Sequence, residues 1–217
     1  MWGYAVHRAL GFAAEEPGHM MVCRKRPHRK ATLVPAFLIL GSVLASAGCS
    51  QRSTLPAYGA VPAFELTDQT GGPFSSAAIL SGHVWVADFF FTTCAGPCPR
   101  MSSQMHQVQK ALAEDGIRLV SFSVDPAHDT PPVLQSYSKL YGARTGIWYL
   151  LTGKRDSLQR LDRDVFHLGD VDGSLQHSTR FVLMDKHSRI RGYYLTSEPD
   201  AISRLIVDAR SLLRDRS

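Results

Sequence analysis

Cysteine is scarce in this chain. Its 217 residues hold four, and Cys23 and Cys49 lie before or at the end of an apolar N-terminal segment. Any thiol chemistry of the remainder therefore runs through one pair, Cys94 and Cys98. A surplus of positive charge is also missing where it would count. The net charge is +5, but residues 1–48 carry six Lys/Arg against two acids, which leaves 18 basic and 17 acidic residues from Cys49 onward (24 − 6 and 19 − 2). A domain balanced to +1 lacks the basic surface that a nucleic-acid partner requires, so none is expected. There is no internal repeat and no low-complexity segment. With 44% hydrophobic and 20% charged residues, the chain has the composition of one globular domain with one sizeable core.

What is present begins with Arg24-Lys25-Arg26-Pro27-His28-Arg29-Lys30, followed by an uncharged run from Ala31 to Gly48 that ends in Ser46-Ala47-Gly48-Cys49. A basic n-region, an apolar h-region and a small-residue exit form a secretory signal. The n-region begins late, which points to a start at Met20 or Met21 with residues 1–19 as a gene-model extension. The Ala-Gly-Cys ending resembles a bacterial lipobox, in which Cys49 is acylated and becomes the mature N-terminus; Ser46 stands where that pattern usually has Leu. The competing reading is an uncleaved signal anchor, since 18 apolar residues just suffice to span a bilayer. Either way the domain is tethered by its N-terminus on the outer, periplasm-facing side of a membrane, where thiols meet an oxidising compartment. The expected division is a leader over 1–48, an anchor and flexible tether over 49–59, and a folded domain over 60–217.

Within the domain, Phe64–Thr67 alternates apolar and polar and predicts a first strand. Val84–Phe91 is a continuous apolar run broken only by Asp88, the pattern of a strand buried on both faces. Met101, Met105, Val108 and Leu112 fall at helical spacing, and Gly116 ends that run. A second buried strand over Ile117–Val124, a helix after Pro131, a strand over Ile147–Leu151 and a helix through Leu158, Leu161 and Val165 follow. A strand pair, Arg180–Met184 and Ile190–Leu195, and an amphipathic helix from about Pro199 close the chain. Alternating strands and helices predict an α/β fold with a mostly parallel central sheet covered on both faces.

Phe91-Thr92-Thr93-Cys94-Ala95-Gly96-Pro97-Cys98-Pro99 places Cys-x-x-x-Cys where the buried strand gives way to a helix. Pro97 and Pro99 suit a first turn that needs no amide donors, and a helix N-terminus favours a thiolate. Thiolates are the nucleophiles of disulfide exchange and the ligands of soft metals. Residues at i and i+4 of a helix lie about 5–6 Å apart, which permits a bridge or a shared ion. A static staple is the third reading, and so short a loop removes little unfolded-chain entropy.

Beyond the cysteines, Asp88-Phe89-Phe90-Phe91-Thr92-Thr93, Ser123-Val124-Asp125-Pro126 with Asp129-Thr130-Pro131, Trp148 with Leu151-Thr152-Gly153, and His177-Ser178 follow in order. This set resembles the Sco/SenC family, thioredoxin-like copper proteins of cytochrome c oxidase assembly, over about residues 60–213. The resemblance implies a three-layer thioredoxin-like fold with a mixed central sheet and helices on both faces. It also implies a copper site, Cu(I) or Cu(II), formed by Cys94, Cys98 and His177, and a client that is the copper subunit of the oxidase or another copper or thiol protein. Two thiolates select Cu(I), and an added imidazole makes a site that also holds Cu(II). The bland reading of His177 is a solvated loop histidine. Gln176 stands where the family usually has an acid.

The resemblance implies a metallochaperone; the alternative is a thiol-disulfide reductase that uses Cys94 and Cys98 as its redox pair and keeps client cysteines reduced. Asp88, six residues before Cys94, resembles the buried proton relay of thioredoxins, with a capped structural carboxylate as the other reading. Thioredoxin-type enzymes place a cis-proline before the strand facing the cysteines, and Leu175-Gln176-His177-Ser178-Thr179 has no proline. Met101 and Met105 are expected in the core, and Asp125 and Asp129 are expected to cap the helix that follows them.

Overall fold

The computed structural model describes residues 54–168 and 178–215, all within one compact unit, Ala47–Ser217. The leader 1–48, Cys49, Gln176 and His177 lie outside the described residues. Architecture radiates from the apolar run that holds Asp88. It forms β4 (Trp85–Phe90), every residue of which is buried, inside an eight-stranded sheet. The other strands are β1 (Gly59–Ala60), β2 (Glu65–Asp68), β3 (Pro73–Ser75), β5 (Arg118–Ser123), β6 (Trp148–Thr152), β7 (Arg180–Met184) and β8 (Arg189–Leu195), in the order β1-β8-β7-β4-β5-β6-β2-β3.

The expectation of a mostly parallel sheet is corrected. Only β4–β5 and β5–β6 are parallel; β7 joins β4 antiparallel, β8 and β1 extend that flank antiparallel, and β2 and β3 do the same beyond β6. Connection length accounts for the β2–β3 and β7–β8 pairs. Parallel neighbours need a helical crossover, whereas the short turns after β2 and β7 join only antiparallel strands.

Strand alternation assigns the two faces. Val86 and Phe90 point into a core shared with α2 (Cys98–Leu112), α3 (Pro131–Leu140) and α5 (Ala201–Arg214), through Met101, Met105, Leu134 and Leu205. Met101 and Met105 are therefore core residues, as their spacing predicts. Trp85, Ala87 and Phe89 point the other way, against Phe122, Leu158, Leu161 and Phe166. That face is covered by α1 (Ser76–Ile79) and α4 (Arg155–Arg160), the latter widening into a π-helical turn over Leu161–Val165. Gly116 ends the α2 segment as expected, in the left-handed region at φ 85° after a 3₁₀ turn.

Within the segment expected as a tether over 49–59, the described residues are bonded to the domain. The Tyr58 N–H donates to the Ile190 carbonyl at 2.9 Å, β1 pairs with β8, and the Arg191 guanidinium donates to the carbonyls of Leu55 and Pro56. A buried guanidinium and an open strand edge both need partners, and this segment supplies them. No helix among the described residues is long and apolar enough to cross a membrane.

Candidate metal centre

β4 runs directly into the cysteine loop. The Cys94 N–H donates back to the Phe91 carbonyl at 3.3 Å, and α2 begins at Cys98 with Pro97 at its N-cap and a proline in its first turn. The missing amide donors of Pro97 and Pro99 fall where a helix leaves amides without intrahelical partners, so the sequence enters the helix without strain. Cys94 is half-buried and Cys98 fully buried, and no disulfide joins them. The two thiols are hydrogen-bonded to each other.

A helix N-terminus favours a thiolate, and that expectation does not hold at Cys98. Burial pushes its thiol well above the ordinary range, reinforced by the hydrogen bond with Cys94 and by the nearby Asp88 carboxylate, against a backbone hydrogen bond with Phe91 that lowers it. Desolvation outweighs the helix end because the side chain has no exposed surface. An occupant that displaces this proton must therefore bond sulfur strongly, as a soft cation does.

Asp88 lies on the same face of β4 as Val86 and Phe90, the face covered by α2. It is 1% exposed. Burial raises its pKa from 3.8 to about 7, opposed by a hydrogen bond with Ser121, its partner across β5. Ser121 Oγ in turn accepts the Trp148 Nε1–H at 2.9 Å. Asp88 Oδ1 has no hydrogen-bond partner among the described residues, so Asp88 is not a fully capped structural carboxylate. It is a poised acid under the helix that carries Cys98.

Asp129 corrects another expectation. It caps no helix: the N-cap of α3 is Thr130, with no side-chain capping bond. Instead Asp129 is fully buried and accepts from the Thr92 N–H at 3.2 Å, the Thr92 hydroxyl, and the Ser123 hydroxyl at 2.6 Å. It thereby fastens the loop two residues ahead of Cys94 to the end of β5. Asp125 lies 3.8 Å from Arg155, an ion pair with the start of α4. Asp129→Ala should destabilise the domain by about 3 kcal/mol, because three donors lose their acceptor. Chemical denaturation checks the cost, and faster amide exchange at Thr92–Cys94 checks that the loop is what loosens. Asp129→Asn, which keeps one acceptor oxygen, should lose about half as much.

The structure brings together Cys94, Cys98 and Asp88. Among the described residues no three His, Cys, Asp or Glu side chains gather as a metal site. The chain enters β7 through Ser178, and β7 lies beside β4 with Val182 across from Ala87. The start of β7 is thus at the end of the sheet that carries the cysteine loop.

A mixed sheet with a parallel centre, helices on both faces and two thiols where the middle strand meets a helix define a thioredoxin-like protein. Residues 53–213 match the SCO1/SenC family model, and the chain belongs to that family. It is similar to the SCO1 protein homolog of Bacillus subtilis, 39% identical over 99 residues, which are 45% of this chain and about half (51%) of that one. A Stutzerimonas stutzeri protein that carries the name of a copper-binding protein is 34% identical over 151 residues, 64% of this chain and 71% of that one. Among solved structures, a SCO1/SenC family lipoprotein from Bacillus anthracis superposes with a TM-score of 0.64 at 32% identity, covering 71% of this chain and 95% of that one. BsSco, a Sco protein of cytochrome c oxidase assembly with a disulfide switch, gives 0.64 at 28% identity, covering 74% and 96%.

Proposed function

We propose that this protein is a membrane-tethered copper chaperone that binds one copper ion through Cys94, Cys98 and His177 and helps mature the copper A centre of cytochrome c oxidase. The observation that carries the reading is the pair of adjoining thiols, one half-exposed and one buried, at the start of α2. Two thiolates suit Cu(I), and an imidazole gives Cu(II) a third donor. Support for His177 comes from its neighbour Ser178, through which the chain enters β7 beside β4. The copper-binding name of the Stutzerimonas relative, the oxidase-assembly role of BsSco and the lipoprotein nature of the Bacillus anthracis relative agree with copper, client and anchor in turn. In this reading residues 1–48 are a cleaved leader, Cys49 is the acylated N-terminus, and the folded domain faces the periplasm. Transfer proceeds by ligand exchange, with client thiols approaching the half-exposed Cys94 while Cys98 holds the ion from within.

Anaerobic titration of the reduced domain tests this. The parent should bind one equivalent of Cu(I) and, with Cu(II), show a thiolate charge-transfer band. His177→Ala should keep the Cu(I) stoichiometry, weaken affinity by roughly tenfold and lose the Cu(II) band. Unchanged affinity and spectrum on replacing each of the three residues would sink the copper site. The reading as a thiol-disulfide reductase is favoured by the mutual hydrogen bond of the thiols above Asp88. It requires turnover of a disulfide substrate that survives His177→Ala in metal-free protein.

A further inference from the structure

Helices α2 and α3 contain no acid. They carry Arg100, Lys110 and Lys139, all exposed, and among the described residues none of the three is in an ion pair. Acids on the borders of this face are turned to other partners. Glu114, past the end of α2, is held by Arg144 at 2.9 Å, and Asp115 lies 3.9 Å from Arg210. On the α5 flank, Asp208 accepts from the Tyr194 hydroxyl at 2.7 Å. On the α3 flank, Asp68 accepts from Thr70 and Gly72 within its own hairpin. Arg100 is also misplaced by the rules of an isolated helix. It sits in the first turn of α2, where the helix end favours an anion, and no acid shares that turn. A local rule broken beside a reactive group marks a place where function sets the residue.

The same two helices enclose a groove of about 360 Å³, lined by Ser103, His106, Lys139, Leu140, Tyr141 and Gly142. Its shape is fixed by buried contacts. Gln109, 2% exposed, donates to the Gly142 carbonyl at 2.9 Å and accepts from the Arg144 N–H at 2.8 Å, which pins α2 to the turn after α3. Gly142 is in the left-handed region at φ 66°, and a Cβ there would lie 3.2 Å from the His106 ring, so glycine at 142 keeps that part of the groove open. Tyr141 packs on Tyr137 with ring centroids 4.6 Å apart. Leu140 is 74% exposed, an apolar side chain that the fold leaves uncovered.

We propose that this groove receives an acidic segment of the client protein, with an apolar side chain against Leu140 and Tyr141 and a carboxylate at Arg100, so that client thiols adjoining the segment are delivered to Cys94. The proposal rests on the reading that Cys94 meets a client's thiols. Distance along α2 permits it: Ser103 and His106 follow Cys98 by five and eight residues, about 8 and 12 Å of helix, and Arg100 lies between. The groove is concave and sets an exposed leucine and a tyrosine beside its cations. A headgroup surface or a nucleic-acid backbone would use the charge alone, whereas a peptide segment uses both.

The test uses the full chain in detergent, metal-free and carrying Cys98→Ser so that no neighbouring thiol resolves the product. Two peptides are compared, Glu-Asp-Leu-Glu-Gly-Cys and its counterpart with Gln and Asn for the acids, each with its cysteine as the mixed disulfide of thionitrobenzoate. The Cys94 thiolate attacks the peptide sulfur, a protein–peptide disulfide forms, and thionitrobenzoate leaves with the electron pair of the broken S–S bond. Mass spectrometry follows the adduct at Cys94. At low salt the acidic peptide should react about tenfold faster than the neutral one, and the ratio should fall toward one at high salt. Taken on one protein, the ratio cancels any change in the intrinsic reactivity of Cys94. Arg100→Glu combined with Lys139→Glu, both exposed positions, should bring the ratio below one and make a lysine version of the peptide the fastest. Leu140→Ser should slow the acidic peptide about threefold. A ratio near one in the parent, a ratio that the charge reversals leave unchanged, or a rate indifferent to Leu140→Ser overturns the proposal while Cys94 still exchanges. Self-association of the full chain that Leu140→Ser abolishes gives the groove to a second copy and overturns it equally. Absence of any adduct at Cys94 with either peptide overturns the reading of Cys94 as the client-facing thiol, and the proposal with it.

Discussion

Cys98→Ser is expected to weaken Cu(I) binding on the order of 10⁴-fold while leaving the fold intact, because a serine hydroxyl neither ionises near neutral pH nor bonds a soft cation. The position makes the experiment clean. Cys98 is fully buried at the first residue of α2, and replacing sulfur by oxygen changes its volume little, so stability should move by only about 1 kcal/mol. Its thiol is pushed well above the ordinary range by burial, so copper has to displace a proton from it. Apparent affinity for the parent should therefore strengthen as pH rises, by about tenfold per unit for each proton released. In the serine variant that slope should fall by one proton. A competition titration against a Cu(I) chelator at pH 6, 7 and 8 reads both quantities. An unchanged slope, or an affinity loss under tenfold, would show that Cys98 is a core thiol and Cys94 the sole sulfur ligand.

The site was legible in sequence where its parts are adjacent, and obscure where they meet through space. Cys94 and Cys98 follow one another at the exit of an apolar strand, and local rules place them. Asp129 was misread because its donors are far away: Thr92 lies 37 positions earlier, and nothing in Asp129-Thr130-Pro131 distinguishes a helix cap from a buried acceptor. Likewise the Trp148–Ser121–Asp88 chain crosses three strands, so only the register of β4, β5 and β6 reveals it. Trp148 and Ser123 stood in the family pattern without roles and Asp129 with that of a helix cap, and the geometry supplies their roles.

The fold shows the same division. Each strongly periodic segment formed its expected element, since period alone determines which face is buried. Sheet order and direction did not follow from period. β7 and β8 had to be placed beside β4 rather than at a far edge, and that depends on which open edge the hairpin satisfies. The segment from Leu55 to Gly59 lacks any apolar period and was read as tether. Its order comes from Arg191 and the edge of β8, which lie about 135 residues later in the chain.

Asp88→Asn is expected to stabilise the reduced, metal-free domain at pH 8 and to have little effect at pH 5. Asp88 is 1% exposed, and burial lifts its pKa from 3.8 to about 7 despite the Ser121 hydrogen bond. A raised carboxyl pKa means that the fold prefers the protonated form. No stability is lost below pH 4; between about pH 4 and 7 the unfolded chain ionises while the folded one does not. Stability falls over that window by about 1.4 kcal/mol per unit. Above pH 7 the folded domain carries the full penalty of a buried carboxylate, about 4 kcal/mol. Asparagine has no charge to desolvate, but its amide brings donors toward Oδ1, where Asp88 has no partner, at a cost of about 1–2 kcal/mol. The difference between variant and parent should thus be close to zero at pH 5 and grow to about 3 kcal/mol at pH 8, a rise of roughly 5–10 °C in Tm for a domain of this size. Urea denaturation at the two pH values measures it. A difference that does not change with pH would mean that Asp88 ionises freely in the folded state, which its burial beneath α2 forbids. The consequence for the thiols follows from the same charge. Ionised Asp88 is one of the causes that raise the Cys98 pKa, so removing it should make Cys98 react faster with a small alkylating agent at pH 8, and the acid under the helix would then be seen to govern how readily the buried thiol gives up its proton.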